Sequence, residues 1–303
     1  MQDYWWAEVM TILTLPIYGL TILAEIIISH YQNRPVYKGK DTLNNFFFTV
    51  LNLGIDTLAR GGFLLIMAWV YQYKFINWGS SKVELVFYWF AVILLTDLAY
   101  WTIHWMAHMV RLFWAVHVIH HSSEEFNITV GFRSSVFEPL YRGVFFMPLA
   151  LLGFSAADVM LAFAIQQLYG ALIHTKLIDK MGILEYFMVT PSHHRVHHGS
   201  NPRYLDKNMG MIFIFWDKLF KTFEPEDPNY AKLKYGLTEN YTFSNPLRIL
   251  FEEFRLIAVD VKNAPGIKNK LMYIFGPPGW CHDGSRSTSK QMVAEEKLEN
   301  NTK

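Results

Sequence analysis

Of the twelve histidines in this 303-residue chain, ten fall in four short stretches. His104 and His108 sit in HWMAH, His117, His120 and His121 in HVIHH, His174 in IHTK, and His193, His194, His197 and His198 in HHRVHH. Five lie between residues 104 and 121, where an even spread would put about 0.7. On a helix the i,i+4 spacing sets His104 and His108 on one face. In HxxHH the first two histidines share a face while the third is rotated by about 100° from the second, so one turn can serve two metal centres. Imidazole suits Fe, Zn, Cu and Ni, and nine candidate ligands exceed what one ion can use. The expected division places His104, His117, His120, His194 and His197 around one ion, and His108, His121, His174 and His198 around the other. His193 is expected beside the ligands. Asp97, two helical turns before His104, is placed to accept a ligand N–H, and Glu124, Glu125 and Asn127 are candidates for the same task. His30 and His282 lie outside the blocks and read as exposed or interfacial residues.

With two irons, an all-nitrogen neutral set can bind and reduce O2 and so attack an unactivated C–H bond, giving hydroxylation or desaturation. The single cysteine, Cys281, excludes a disulfide framework within the chain, a cysteine-based zinc site and a cysteine-held iron–sulfur cluster. No Rossmann glycine fingerprint or haem-attachment motif is present, so a separate electron donor is expected. Two other classes compete. A bis-His haem protein would carry isolated histidines deep within facing spans, not clusters at span ends. A zinc-dependent membrane hydrolase or a metal-binding receptor needs fewer ligands than nine.

The elements that must position these blocks are apolar. Hydrophobic residues make up 52% of the chain and charged residues 17%, against about 25% charged in a soluble domain. The net charge of +1 gives no basic field to gather nucleic acid. Three apolar segments are expected to cross a membrane: Val9 to Ser29, Phe46 to Tyr73 with Asp56 and Arg60 paired at i,i+4, and Val83 to Ile103. Pro139 to Ile173 reads as a hairpin of two apolar arms broken around Gly153 and restarted by Ser155 with Asp158 three residues on, either crossing or re-entrant. Ile212 to Phe223 is too short to cross. Arg34, Lys38 and Lys40 mark the first loop as cytosolic, which returns every histidine block to the cytosolic face. The expectation is thus an all-α integral membrane protein with four to five embedded helices. Residues 1–175 would be the membrane part, 176–284 a cytosolic cap and 285–303 a polar mobile tail. The membrane would be the bacterial cytoplasmic membrane or the endoplasmic reticulum.

DLAYWTIHWMAH, HVIHHSSEEFN, the lone His174 in HTKLI, and TPSHHRVHHGSN followed by DKNMGMIFIFWDKLFKTFEPE resemble, in order and spacing, the fatty acid hydroxylase and sterol desaturase superfamily of membrane histidine-box enzymes. The likeness covers roughly residues 85 to 240. Within that superfamily the HHSSEEFN and TPSHHRVHH stretches are most similar to the ether-lipid monooxygenases, which use tetrahydrobiopterin. Lys221 stands where the family usually has glycine, and one glycine, Gly210, represents the pair that follows DKN. The resemblance implies a di-iron site held by the nine histidines, O2 as co-substrate, a lipid substrate such as an ether lipid, and tetrahydrobiopterin or a reductase system as donor. A sterol or fatty-acyl desaturase or hydroxylase is the alternative within the same superfamily.

Overall fold

Apolar composition and well-formed caps dictate a wholly helical architecture. A computed structural model describes residues 5–238 and 245–301, and among these no strand forms beyond one isolated antiparallel bridge between Met188 and Phe213. Helix α1 (Trp5–Tyr31) contains the expected first span, α2 (Gly39–Tyr71) all but the last two residues of the second and α3 (Lys82–Met109) the third. Helix α3 starts at a capping box in which Ser81 and Glu84 satisfy each other's backbone N–H. It runs on past the expected Ile103, carrying Asp97, His104 and His108 on one continuous helix.

At Val110 the backbone turns extended (φ −122°, ψ 118°), and α4 (Arg111–His121) sets off in a new direction with the HVIHH block. Arg111 fixes that turn. Its N–H donates to the Gly276 carbonyl, and its buried guanidinium pairs with Glu253 (2.8 Å) and Asp260 (2.6 Å). The apolar hairpin forms as expected from α5 (Glu138–Leu151) and α6 (Ala156–Leu172), with the Ser155 hydroxyl accepting from the Asp158 N–H. Gly153 between them has φ +86°, and a Cβ there would stand 2.2 Å from the Ile76 carbonyl oxygen, so only glycine makes this turn.

Helices α2, α3, α5 and α6 share a core that includes Met67, Val92, Ile103, Phe146, Leu149, Phe154 and Phe163. Their outer faces stay apolar: Leu43, Val50, Leu58, Leu65 and Trp69 on α2, and Val83, Val86, Phe87 and Phe90 on α3, are exposed. Helices α2 and α3 are long and apolar enough to cross a membrane, and α6, at 17 residues, is apolar but shorter. An exposed apolar surface of this extent is what lipid tails cover.

The rest of the chain forms the short helices α7 (Pro191–His197) and α8 (Phe215–Phe220), then α9 (Pro246–Asn263), α10 (Gly266–Phe275) and α11 (Ser289–Asn301). Residues 285–303, expected as a mobile tail, thus include a helix. Tyr230 of the loop before α9 donates its hydroxyl to Glu296 of α11, which ties that helix down.

Candidate metal centre

Nine buried or nearly buried imidazoles converge where α3, α4, the end of α6 and α7 meet. They form two groups. His104, His108, His117, His121 and His197 make one, and His120, His174, His194 and His198 the other, each with one ring nitrogen per residue within 4.8 Å of the rest. Ligand nitrogens about 2.1 Å from a shared ion lie at most about 4.2 Å apart, so a small contraction would complete either shell.

All nine predicted candidates are therefore brought together, but the expected division between ions is not the one the helices produce. His108 and His121 join His104, while His120 and His194 move to the second group. The reason is angular. At 100° per residue an i+4 neighbour returns to within about 40° of the first, an i+3 neighbour only to about 60° on the other side. Hence His104 and His108, His117 and His121, and His194 and His198 stay together. His120 and His197, the middle members of the two HxxHH blocks, face the opposite group.

Hydrogen bonds from the outer ring nitrogens fix the inward orientation. Nδ1 of His104 contacts the Met209 carbonyl (2.7 Å), of His120 the Arg133 carbonyl (3.2 Å), of His174 the Gly170 carbonyl (2.6 Å) and of His197 the Lys207 carbonyl (2.8 Å). Nδ1 of His108 faces Asp206 Oδ1 at 3.2 Å. Each of these Nδ1 atoms therefore carries the proton, leaving a lone pair on an inward Nε2. Inward nitrogens then meet at 3.0 Å (His104 and His117), 3.2 Å (His117 and His121), 3.3 Å (His120 and His174) and 2.8 Å (His174 and His194). Buried Nε2 atoms of His108, His197 and His198 have no hydrogen-bond partner. Facing lone pairs and orphaned acceptors are costly unless cations sit among them. Burial, reinforced by neighbouring imidazoles, pushes His117, His120, His121, His194, His197 and His198 well below the usual histidine range, so they are held neutral, the form a metal ion needs. The donor set fits two divalent transition-metal ions bound by nitrogen alone.

The residues expected to accept ligand N–H groups do something else. Asp97 touches none of the nine. Its carboxylate accepts from Gln166 Nε2 (2.7 Å), the Ile212 (3.0 Å) and Phe213 (3.1 Å) N–H groups and Trp216 Nε1 (3.1 Å). It thereby pins the loop whose Met209 carbonyl holds His104. Glu124 is exposed, and Glu125 pairs with Lys38 (2.6 Å) and Lys176 (3.1 Å). Asn127 donates to the Val36 carbonyl at 2.7 Å and caps the turn Ile128–Phe132. His193 takes part in the capping of α7 with Thr190, and its Nε2 faces Glu185 at 3.2 Å, so it aims the helix carrying His194, His197 and His198.

Sequence reasoning missed Asp206 and Asp217. Asp217 accepts from the Met209 and Gly210 N–H groups (both 2.8 Å), Trp101 Nε1 (3.1 Å) and Thr222 (2.6 Å), and burial raises its carboxyl above the usual range. A signal for Asp206 was present in DKN. Asp206 and Asn208 both adopt positive φ (56° and 54°), which these residue types tolerate, and the double turn presents the Lys207 carbonyl to His197. Lys221 is left-handed too, at φ 62°, which explains why glycine suits that position.

Above this centre opens a cavity of about 1100 Å³, bounded by α1, α2, α3, α5 and α6 and reaching His117, His120, His174 and His194. A second cavity of about 150 Å³ meets the first histidine group from the far side, between α4, α9 and α11.

Residues 89–222, which carry all nine histidines of the two groups, match the model of the fatty acid hydroxylase family. The chain is similar to alkylglycerol monooxygenases. It is 35% identical to that of Xenopus tropicalis over 273 residues, 86% of this chain and 57% of the frog protein. The human protein shares 35% identity over 270 residues, 88% of this chain and 58% of its own. An ornithine lipid hydroxylase of Rhizobium tropici shares 27% identity over 136 residues, 45% of this chain and 41% of that protein. The chain spans about three fifths of the length of the alkylglycerol monooxygenases it matches. No solved structure matches it.

Proposed function

We propose that the protein is a membrane-embedded di-iron oxygenase that hydroxylates a C–H bond of a lipid, with an ether lipid as the leading substrate class. One observation carries this reading. The 1100 Å³ cavity joins the lipid-facing helices directly to His117, His120, His174 and His194, so a lipid can reach the histidine centre from the membrane without crossing bulk water. The names of the relatives, monooxygenases of alkylglycerols and a hydroxylase of a bacterial lipid, support the same class.

The balance is RH + O2 + 2 electrons + 2 protons giving ROH + H2O. Bound iron would supply O2 activation. His104, His108, His117, His121 and His197 would hold one ion and His120, His174, His194 and His198 the other. The chain's own contribution is positional: carbonyls of Met209, Arg133, Gly170 and Lys207 keep the imidazoles aimed inward, and the apolar walls keep water from the reacting carbon. The electrons come from a separate donor, a reduced pterin or a reductase system. We further read α1, α2, α3 and the α5–α6 hairpin as the four to five embedded helices, 176–284 as a cap, and the histidine face as cytosolic.

Elemental analysis of detergent-purified protein made in iron-replete medium, followed by incubation with alkylglycerols, O2 and reduced tetrahydrobiopterin, is the test. About two irons per chain are expected, with a product heavier by one oxygen or, where the carbon next to the ether oxygen is hydroxylated, the aldehyde and glycerol into which that hemiacetal collapses. One zinc per chain that iron cannot replace would shift the reading to a hydrolase or a metal-binding receptor.

A further inference from the structure

Partway down the large cavity stands a charged quartet that metal binding does not use. Asp56 and Arg60 come from α2, Glu138 and Arg142 from α5, and all four line the cavity wall. Asp56 accepts from Arg60 Nε at 2.5 Å and also from Arg142, whose Nη1 lies 3.7 Å from Glu138. Charges within a span are expensive. Locking α2 to α5 requires only Asp56, Arg142 and Glu138. Arg60 is additional, and it is open: its side chain is 39% exposed, and Nε to Asp56 is its one hydrogen bond among the described residues. Among the described residues, both terminal amino groups of its guanidinium are thus without a hydrogen-bond partner.

The position is as informative as the chemistry. Arg133 offers its carbonyl to His120, and its neighbour Ser134 accepts from Asn52, one helical turn before Asp56 on α2. The quartet thus lies one helical turn along α2 from the residue that touches the Arg133–Ser134 segment beside His120. Thr49, Asn52, Ser134 and Ser135 line the cavity between them, while Leu64, Ala68 and Leu161 line it elsewhere.

We propose that this quartet is the head-group site of the lipid, taking a neutral, hydroxyl-bearing head such as glycerol. Two guanidinium groups and two carboxylates sum to zero charge, so an anionic head would leave one charge uncompensated in a span. A diol suits both partners, since its oxygens accept from Arg60 and its hydroxyls donate to the carboxylates. The head is then held inside the cavity, and the oxidised carbon is set by its distance from the head rather than from the methyl end. This rests on reading the cavity as the substrate chamber.

The test uses three hexadecyl probes with detergent-purified, iron-loaded protein: the glycerol ether, the phosphate and the methyl ether. Binding is measured for wild type, Arg60→Lys and Arg60→Gln. Wild type should bind the glycerol ether most tightly. Both variants should weaken it about tenfold and leave the methyl ether unchanged, with Arg60→Lys preserving the charge balance should Arg60→Gln fold poorly. Equal binding of glycerol and methyl ethers, or tighter binding of the phosphate, overturns the proposal. A second arm maps the product from alkylglycerols of several chain lengths. A constant position counted from the head supports it, and one counted from the methyl end overturns it. If nothing is oxidised while the binding preference stands, the oxygenase reading fails and the head-group site remains.

Discussion

His120 and His197 each lie next to a histidine that serves the other group, His121 and His198. That crossing gives a sharp experiment. Replacing His108 and His121 together by alanine removes two ligands from one group of five and leaves the group of four whole. Replacing His108 and His198 damages both groups. Elemental analysis should find about one iron per chain in the first double variant and well under one in the second. About one iron in both variants would restore the division expected from the blocks alone, which puts His108, His121 and His198 around a single ion. The blocks were legible because i,i+4 and HxxHH are local regularities that survive without knowledge of the fold. Their allocation was not, because it depends on the phase at which α3, α4 and α7 face one another. Nor could spacing reveal that Arg133 and Lys207, through their carbonyls, set the tautomers of His120 and His197, since a backbone carbonyl carries no residue signature.

At the scale of elements, the three long apolar helices and the hairpin restarted at Ser155 follow from length, apolar runs and a cap. What the sequence concealed is the tie between α3 and the Met209–Trp216 segment, made by residues more than a hundred positions apart. Asp97 reads locally as a carboxylate at a helix end. It is a buried hub receiving four donors, two of them backbone N–H groups. Asp97→Asn keeps the shape but turns one acceptor oxygen into an amide NH2 group, a donor that must then face a donor. The expected cost is about 3 kcal/mol for the mispaired buried groups. The loop holding His104 should also loosen. The variant should therefore melt several degrees lower in detergent and lose iron faster to a chelator. Unchanged melting and iron retention would mean that the loop is held without this carboxylate.

Across the whole molecule, sidedness links the membrane to the chemistry. The loop after α1 lies against the histidine-bearing segments: Arg34 donates to the Lys176 carbonyl at 2.7 Å, Asn127 to the Val36 carbonyl at 2.7 Å, and Lys38 pairs with Glu125. The basic residues that govern orientation and the histidine centre therefore share one face, and the positive-inside rule predicts that this face is cytosolic. The sequence supplies its own reporter. Cys281, the one cysteine in the chain, follows the Pro278–Gly279 turn that lines the smaller cavity beside Arg111 and His108. It is a free thiol, partly exposed, with its sulfur accepting from the Arg286 N–H at 3.0 Å. A membrane-impermeant maleimide should leave it unmodified on intact cells and modify it in inside-out vesicles, with detergent-solubilised protein setting full labelling. A Cys281→Ser variant should remain unlabelled throughout. Labelling on intact cells would turn the whole assembly over, placing the nine histidines outside the cytosol. An electron donor drawn from the cytosol could then not reach the centre.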